Sequence, residues 1–198
     1  MAVNLTKGGR INLAKEAPNM TKVRVGLGWK PNTFDSGFAY DIDVTAFVLR
    51  QEASSGKSVM LSEDHMVFYN NLVTPEGAVK HLGDNRTGQG EGDDETLVVD
   101  LKAMPNNADE ISFIVTIHEA TERKQNFGQI PGCSIKLYND ETGDVVAKYD
   151  LEEDFSSETA VQFGSLYKKD GNWGFKAVGQ GFNVGLAEFV VGYGGQVA

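Results

Sequence analysis

The chain has 198 residues, 40% hydrophobic and 23% charged, with a formal net charge of −10. That length and balance suit a single domain over residues 1–198 with a sizeable buried core, and the acidity argues against nucleic acid or an anionic membrane surface as the main partner. One cysteine, Cys133, excludes an intrachain disulfide and suits a cytoplasmic location, while no signal-peptide run or stretch of ~20 apolar residues predicts membrane insertion.

Taken in order, residues 3–5 and 11–13 alternate apolar and polar positions around Lys7-Gly8-Gly9 and predict a hairpin. Residues 23–29 predict a strand ending on a buried indole, Trp29, and residues 30–37, with Pro31, Asn32 and Ser36, predict a loop. Residues 41–49 are β-branched enough for a strand, with Ile42, Val44, Ala46 and Val48 on one face. Asp41 and Asp43 then share the other face, roughly 7 Å apart. Two carboxylates at a strand end are poor core residues and a reasonable half of a cation site. Residues 51–62 predict a polar loop and 65–69 a strand running into Asn70-Asn71, whose amides either cap backbone or donate neutral oxygens to calcium. Thr74-Pro75-Glu76-Gly77 predicts a turn that pairs this strand with residues 78–82.

Residues 83–95, GDNRTGQGEGDDE, carry Asp84, Glu91, Asp93, Asp94 and Glu95 against Arg86 alone, with Gly83, Gly88, Gly90 and Gly92 set between them. Glycines let a backbone curl so that carbonyls and carboxylates converge, and converging carboxylates repel unless a proton or cation sits among them. Hard oxygen donors without sulfur point to calcium ahead of magnesium. The helix–loop–helix calcium template does not fit: its third, fifth and sixth positions would hold Arg86, Gly88 and Gln89, and both flanks read as strands. A solvated acidic turn is the plain alternative. Counting Asp41 and Asp43, seven carboxylates exceed what one ion usually takes, which allows for one or two ions.

Beyond the loop, residues 96–101 and 111–117 predict strands, the latter apolar enough to be central, and 119–126 a short helix-competent piece. Residues 134–138 and 145–149 predict a hairpin, 163–167 and 173–178 two further strands, and 184–193 a short helix or an edge strand. The whole reads as an all-β, two-sheet β-sandwich of about ten strands with one or two short helices. His65, His81 and His118 lack metal-ligand spacing, and there is neither a nucleophile elbow nor a P-loop. The enzymatic alternative is a metal-dependent phosphohydrolase using the same carboxylates, for which Arg86 and Arg123 are the candidate phosphate contacts; the reading is otherwise of a protein that is not an enzyme.

Several runs carry a family resemblance: NLTKGG at 4–9, GLGW at 26–29, Asp41-x-Asp43-x-x-Ala46-Phe47, FYNN at 68–71, the 83–95 loop, TIH at 116–118, RKQNFG at 123–128, YDLEED at 149–154 and AVGQGF at 177–182. Together they resemble the TerD family of bacterial tellurium-resistance and general stress proteins over nearly the full chain. The resemblance implies a cytoplasmic calcium-binding β-sandwich, without established catalytic activity, that acts as scaffold or sensor with other Ter proteins, including the membrane-bound TerC. It implies calcium-associated positions at Asp41, Asp43, Asn70, Asp84, Asn85, Asp93, Asp94 and Glu95, with backbone carbonyls near Gly90 and Gly92. Where family members often continue GLGW with aspartate, this chain has Lys30, which bears on the number and affinity of the ions.

Overall fold

The computed structural model describes residues 2–33, 37–90, 92–151 and 155–197. Glu91, Ser36 and the last three residues of the YDLEED run lie outside them.

Two strand patterns set the architecture. The strand β8 (Glu95–Asp100) alternates buried and part-exposed positions, whereas β9 (Glu110–Ile117) is buried at every position after the first. Alternation marks a sheet with one face in a core, and an unbroken apolar run marks a strand covered on both faces. The two sheets differ in that way. One holds six strands in the order β1 (Val3–Asn4), β11 (Val145–Asp150), β10 (Ser134–Asn139), β3 (Lys22–Gly28), β8 and β7 (Val79–His81). The other runs β2 (Arg10–Asn12), β13 (Asn172–Phe182), β12 (Ala160–Lys169), β9, β4 (Ile42–Gln51) and β5 (Ser58–Met60), with β6 (Met66–Val67) also paired to β4.

The main core lies between the sheets and takes Ile42, Val44, Ala46 and Val48 from β4 with Leu97 and Val99 from β8. On its far side the second sheet carries another cluster, in which Phe47, Leu49 and Ile114 pack with Phe189 of the helix α3 (Leu186–Gly192). Two one-turn α-helices, α1 (Leu13–Glu16) and α2 (Ala120–Arg123), and two 3₁₀ turns complete the regular structure among the described residues. The predicted all-β sandwich is what forms, with thirteen strands among the described residues; the 184–193 tail supplies a helix. Among those residues no helix is long and apolar enough to cross a membrane.

Three expectations are corrected. Residues 3–5 and 11–13 do not pair: β1 runs parallel to β11, and β2 antiparallel to β13 in the other sheet. The Lys7-Gly8-Gly9 turn therefore carries the chain between sheets, because the same alternation serves any partner and a short strand takes the free edge that buries it best. The expected 65–69 strand is a 3₁₀ turn (Glu63–His65) followed by the two-residue β6, which pairs with β4 and not with residues 78–82; across the 74–77 turn it is residues 72–74 that meet 79–81, because β6 fills the open edge of β4. The polar 51–62 stretch contains β5, an edge strand whose pairing with β4 needs little apolar content.

Candidate metal centre

The start of β4 is where side chains of both sheets meet. Residues 42–49 pair with β9 on one edge, while Ala46–Phe47 and Leu49–Gln51 pair with β6 and β5 on the other. That leaves the N–H of Val44 without a strand partner, and Glu95, the first residue of β8, reaches across to accept it at 2.6 Å through Oε2. Asp41 and Asp43 flank this point and Asp84 comes from the loop after β7. Carboxylate oxygens of Asp41, Asp43 and Asp84 lie within 4.8 Å of one another. Asp41, Asp43 and Glu95 are 4%, 6% and 1% exposed, so three of these four carboxylates are out of water.

The loop is built on Trp29. The indole Nε1 donates to the carbonyl of Tyr40 at 3.1 Å, and the Trp29 N–H donates to Asp94 Oδ2 at 2.9 Å. Gly88 sits against the indole at φ +67°, where a Cβ would run into the ring nitrogen. Asn85 closes the turn: its Oδ1 accepts the N–H groups of Thr87 and Gly88, and its Nδ2 donates to Asp94 Oδ1 at 2.9 Å. This is an Asx turn that fixes the loop without help from helix or sheet.

Burial without enough donors governs the electrostatics. Desolvation, then the nearby Glu95, Asp41 and Asp84 carboxylates, push Asp43 up to about 8. Burial also raises Glu95, to about 9, against the Val44 N–H that favours its charged form. His81 is buried with Nε2 3.6 Å from Glu95 Oε2, and desolvation pushes it down, so it stands neutral at pH 7. Glu95 Oε1 and His81 Nε2 have no hydrogen-bond partner among the described residues. A buried carboxylate oxygen without a donor is costly, and a cation among these groups would satisfy it. Hard oxygens at flexible geometry fit calcium. Asp41, Asp43 and Asp84 are the residues that would hold it, with Glu95 buried beside them.

Two guanidiniums stand over the cluster. Arg86 Nε and Arg123 Nη1 both lie 3.5 Å from Asp41 Oδ2. Arg123 is anchored by Glu119 at 3.1 Å and by the ring of Phe38, 5.7 Å away.

The other expected positions are placed apart from this cluster. Asp94 and Asn85 bond each other within the loop. Asp93 turns to the outer face of the first sheet, where Gly26 leaves room for it, and pairs with Lys136 at 3.2 Å. There, burial first and Asp93 second push the Tyr138 phenol up. Gly90 and Gly92 take φ +141° and +99° in the loop. Asn70 is exposed beside Tyr69, and the neighbouring Asn71 caps the carbonyls of Asp64 and Met66. Lys30 lays its side chain along Gly132, and its N–H donates to Pro131. His81 and Tyr69 were not legible as site residues; the signal for His81 was its period-two match with Val79 on the buried face of β7.

Fold and site together define a β-sandwich with a buried carboxylate cluster at one strand end, opened to solvent between loops. The TerD domain model matches residues 1–193, and the chain belongs to that family. It is 50% identical over 194 residues to the tellurium resistance protein TerD of Serratia marcescens, covering 98% of each chain. It is 46% identical to general stress protein 16U of Bacillus subtilis over the whole of both chains. A crystal structure of a homologue of telluride resistance protein (TerD) from Streptomyces coelicolor A3(2) shares the fold at a TM-score of 0.71 and 20% identity, covering 88% of this chain and 98% of that one. The family is one of tellurium-resistance and stress-response proteins.

Proposed function

We propose that this protein binds calcium at the Asp41–Asp43–Asp84–Glu95 cluster and serves the stress response as a cytoplasmic, non-catalytic scaffold or sensor working with other Ter proteins. The observation that carries the reading is the convergence of three carboxylates within 4.8 Å beside a buried Glu95 whose Oε1 has no donor among the described residues. Three or four negative charges held together in this way oppose folding unless protonated or neutralised, so a cation is worth several pK units of relief to the folded state. Calcium would also tie β4, β8 and the loop after β7 into one rigid unit. That is a mechanical change a partner can read. Its test is thermal: calcium should raise the melting temperature of chelator-stripped protein far more than magnesium does, and Asp84→Asn should abolish the gain. An equal gain in the variant would place the ion elsewhere.

A further inference from the structure

We infer that the mouth of this cluster is a second ligand site, in which a phosphate-type oxyanion binds between the resident cation and the guanidiniums of Arg86 and Arg123. The inference rests on the cation reading above and goes beyond it.

The cavity over the cluster, about 220 Å³, has walls of both signs: Asp41, Asp43 and Asp84 with Arg86, His118 and Tyr69. A site built only to hold a cation gains nothing from arginines at its mouth, because each competes with the ion for the same carboxylates. Nor do these two make a good ion pair with Asp41. Both approach one oxygen, Oδ2, at 3.5 Å, well beyond the 2.7–2.9 Å of a charge-assisted bond, and neither forms the bidentate fork that arginine makes with a carboxylate. They are positioned near Asp41 rather than satisfied by it.

Their anchoring is independent of the cluster. Glu119 Oε2 accepts from Arg123 Nε at 3.2 Å and from Nη2 at 3.1 Å, which leaves Nη1 directed at Asp41. Arg86 hangs from the Asx turn that Asn85 closes, and its side chain is 66% exposed. When a cation takes Asp41 Oδ2, both guanidiniums lose that acceptor; Arg123 is still held by Glu119, and the exposed Arg86 side chain turns from Asp41 toward the mouth. Calcium takes six to eight oxygens, so the three clustered carboxylates would leave room for an outside ligand. Arg86, on the cavity wall, and Arg123 Nη1, 3.5 Å from Asp41 Oδ2, would be the donors to a tetrahedral dianion, and a bound cation would supply further positive charge, the combination of metal and arginine suited to phosphate. With the ion absent, the carboxylates repel the same anion. Binding is therefore ordered, cation first, and by linkage each ligand tightens the other by the same factor.

The experiment titrates phenyl phosphate, whose calcium salt stays in solution, into calcium-loaded and chelator-stripped full-length protein by calorimetry. The expected result is saturable binding to the loaded form alone, with calcium affinity raised about tenfold when phenyl phosphate is present. Arg86→Gln, at an exposed position, should keep or tighten calcium binding, since a competing cation is gone, and lose the phosphate coupling; Arg123→Gln should do the same if folded, as checked by circular dichroism. A parallel arm with phosphatidic acid vesicles tells the sources apart: sedimentation with vesicles in calcium, lost in Arg86→Gln, assigns a lipid headgroup, and binding of phenyl phosphate alone assigns a soluble monoester. Calcium heat without phosphate heat in either arm overturns this inference and leaves the cation reading standing. Phosphate coupling that survives unchanged in Arg86→Gln also overturns it. No calcium heat at all overturns both.

Discussion

Replacing Asp43 by asparagine should stabilise the metal-free protein and weaken the calcium-loaded one. An unfolded aspartate titrates near 3.8, and the folded Asp43 near 8, chiefly through burial and then the neighbouring carboxylates. A folded-state pKa raised in this way favours folding fully below about pH 4, and the benefit is lost as pH rises through about 8. Each pH unit in that window removes up to about 1.4 kcal/mol. From pH 5 to 8 the ceiling is thus about 4 kcal/mol; because Glu95 shares the same field, half of that, about 2 kcal/mol, is the working figure. At this chain length 2 kcal/mol corresponds to roughly 6 °C in melting temperature. Scanning calorimetry in chelator should therefore find the advantage of Asp43→Asn over wild type growing by about 6 °C between pH 5 and pH 8. In saturating calcium the order reverses, since binding at 100 times Kd adds about 2.7 kcal/mol that the variant forgoes. A variant less stable than wild type at pH 8 in chelator would refute the claim that the cluster is an uncompensated buried charge.

Other changes separate the parts of the site. Glu95→Gln keeps an acceptor for the Val44 N–H, so the fold should survive while calcium affinity falls about tenfold or more, read by competition with a chelating dye. Gly88→Ala forces a side chain onto the Trp29 indole at a left-handed φ; we expect a loss of about 1–3 kcal/mol in urea unfolding, a shift in tryptophan emission and weaker calcium binding. Unchanged emission and midpoint would mean that the loop does not rest on the indole.

Much of the sandwich was readable because burial leaves a period in the sequence. The unbroken apolar run of β9 and the alternation of β8 state which sheet has two covered faces. Of the pairings, the hairpin of residues 134–138 with 145–149 was readable and forms, but the partners of the first two strands were not. Nothing in residues 3–5 or 11–13 distinguishes a local hairpin from edges of two different sheets, since register and partner are decided by tertiary packing. At the site, Asp41 and Asp43 stood out as carboxylates inside a strand pattern, and the glycine-spaced loop pointed to convergence. The division of labour inside the loop was hidden. Asp93 and Asp94 precede β8, where no strand period places side chains, and Asp93, Asp94 and Glu95 go respectively to the outer sheet face, the loop's own hydrogen bonds and the buried cluster. His81 joined them because a histidine inside a short edge strand looks like any other alternating position.

The most direct test of the central claim is a calcium titration of chelator-stripped protein by calorimetry, with magnesium as control. The cluster predicts saturable calcium binding at a stoichiometry of one or two, a much weaker magnesium response, and release of protons from Asp43 and Glu95 that makes the heat depend on the buffer at pH 7. Absence of calcium heat in a folded protein would contradict it and reduce the acidic loop to a solvated turn.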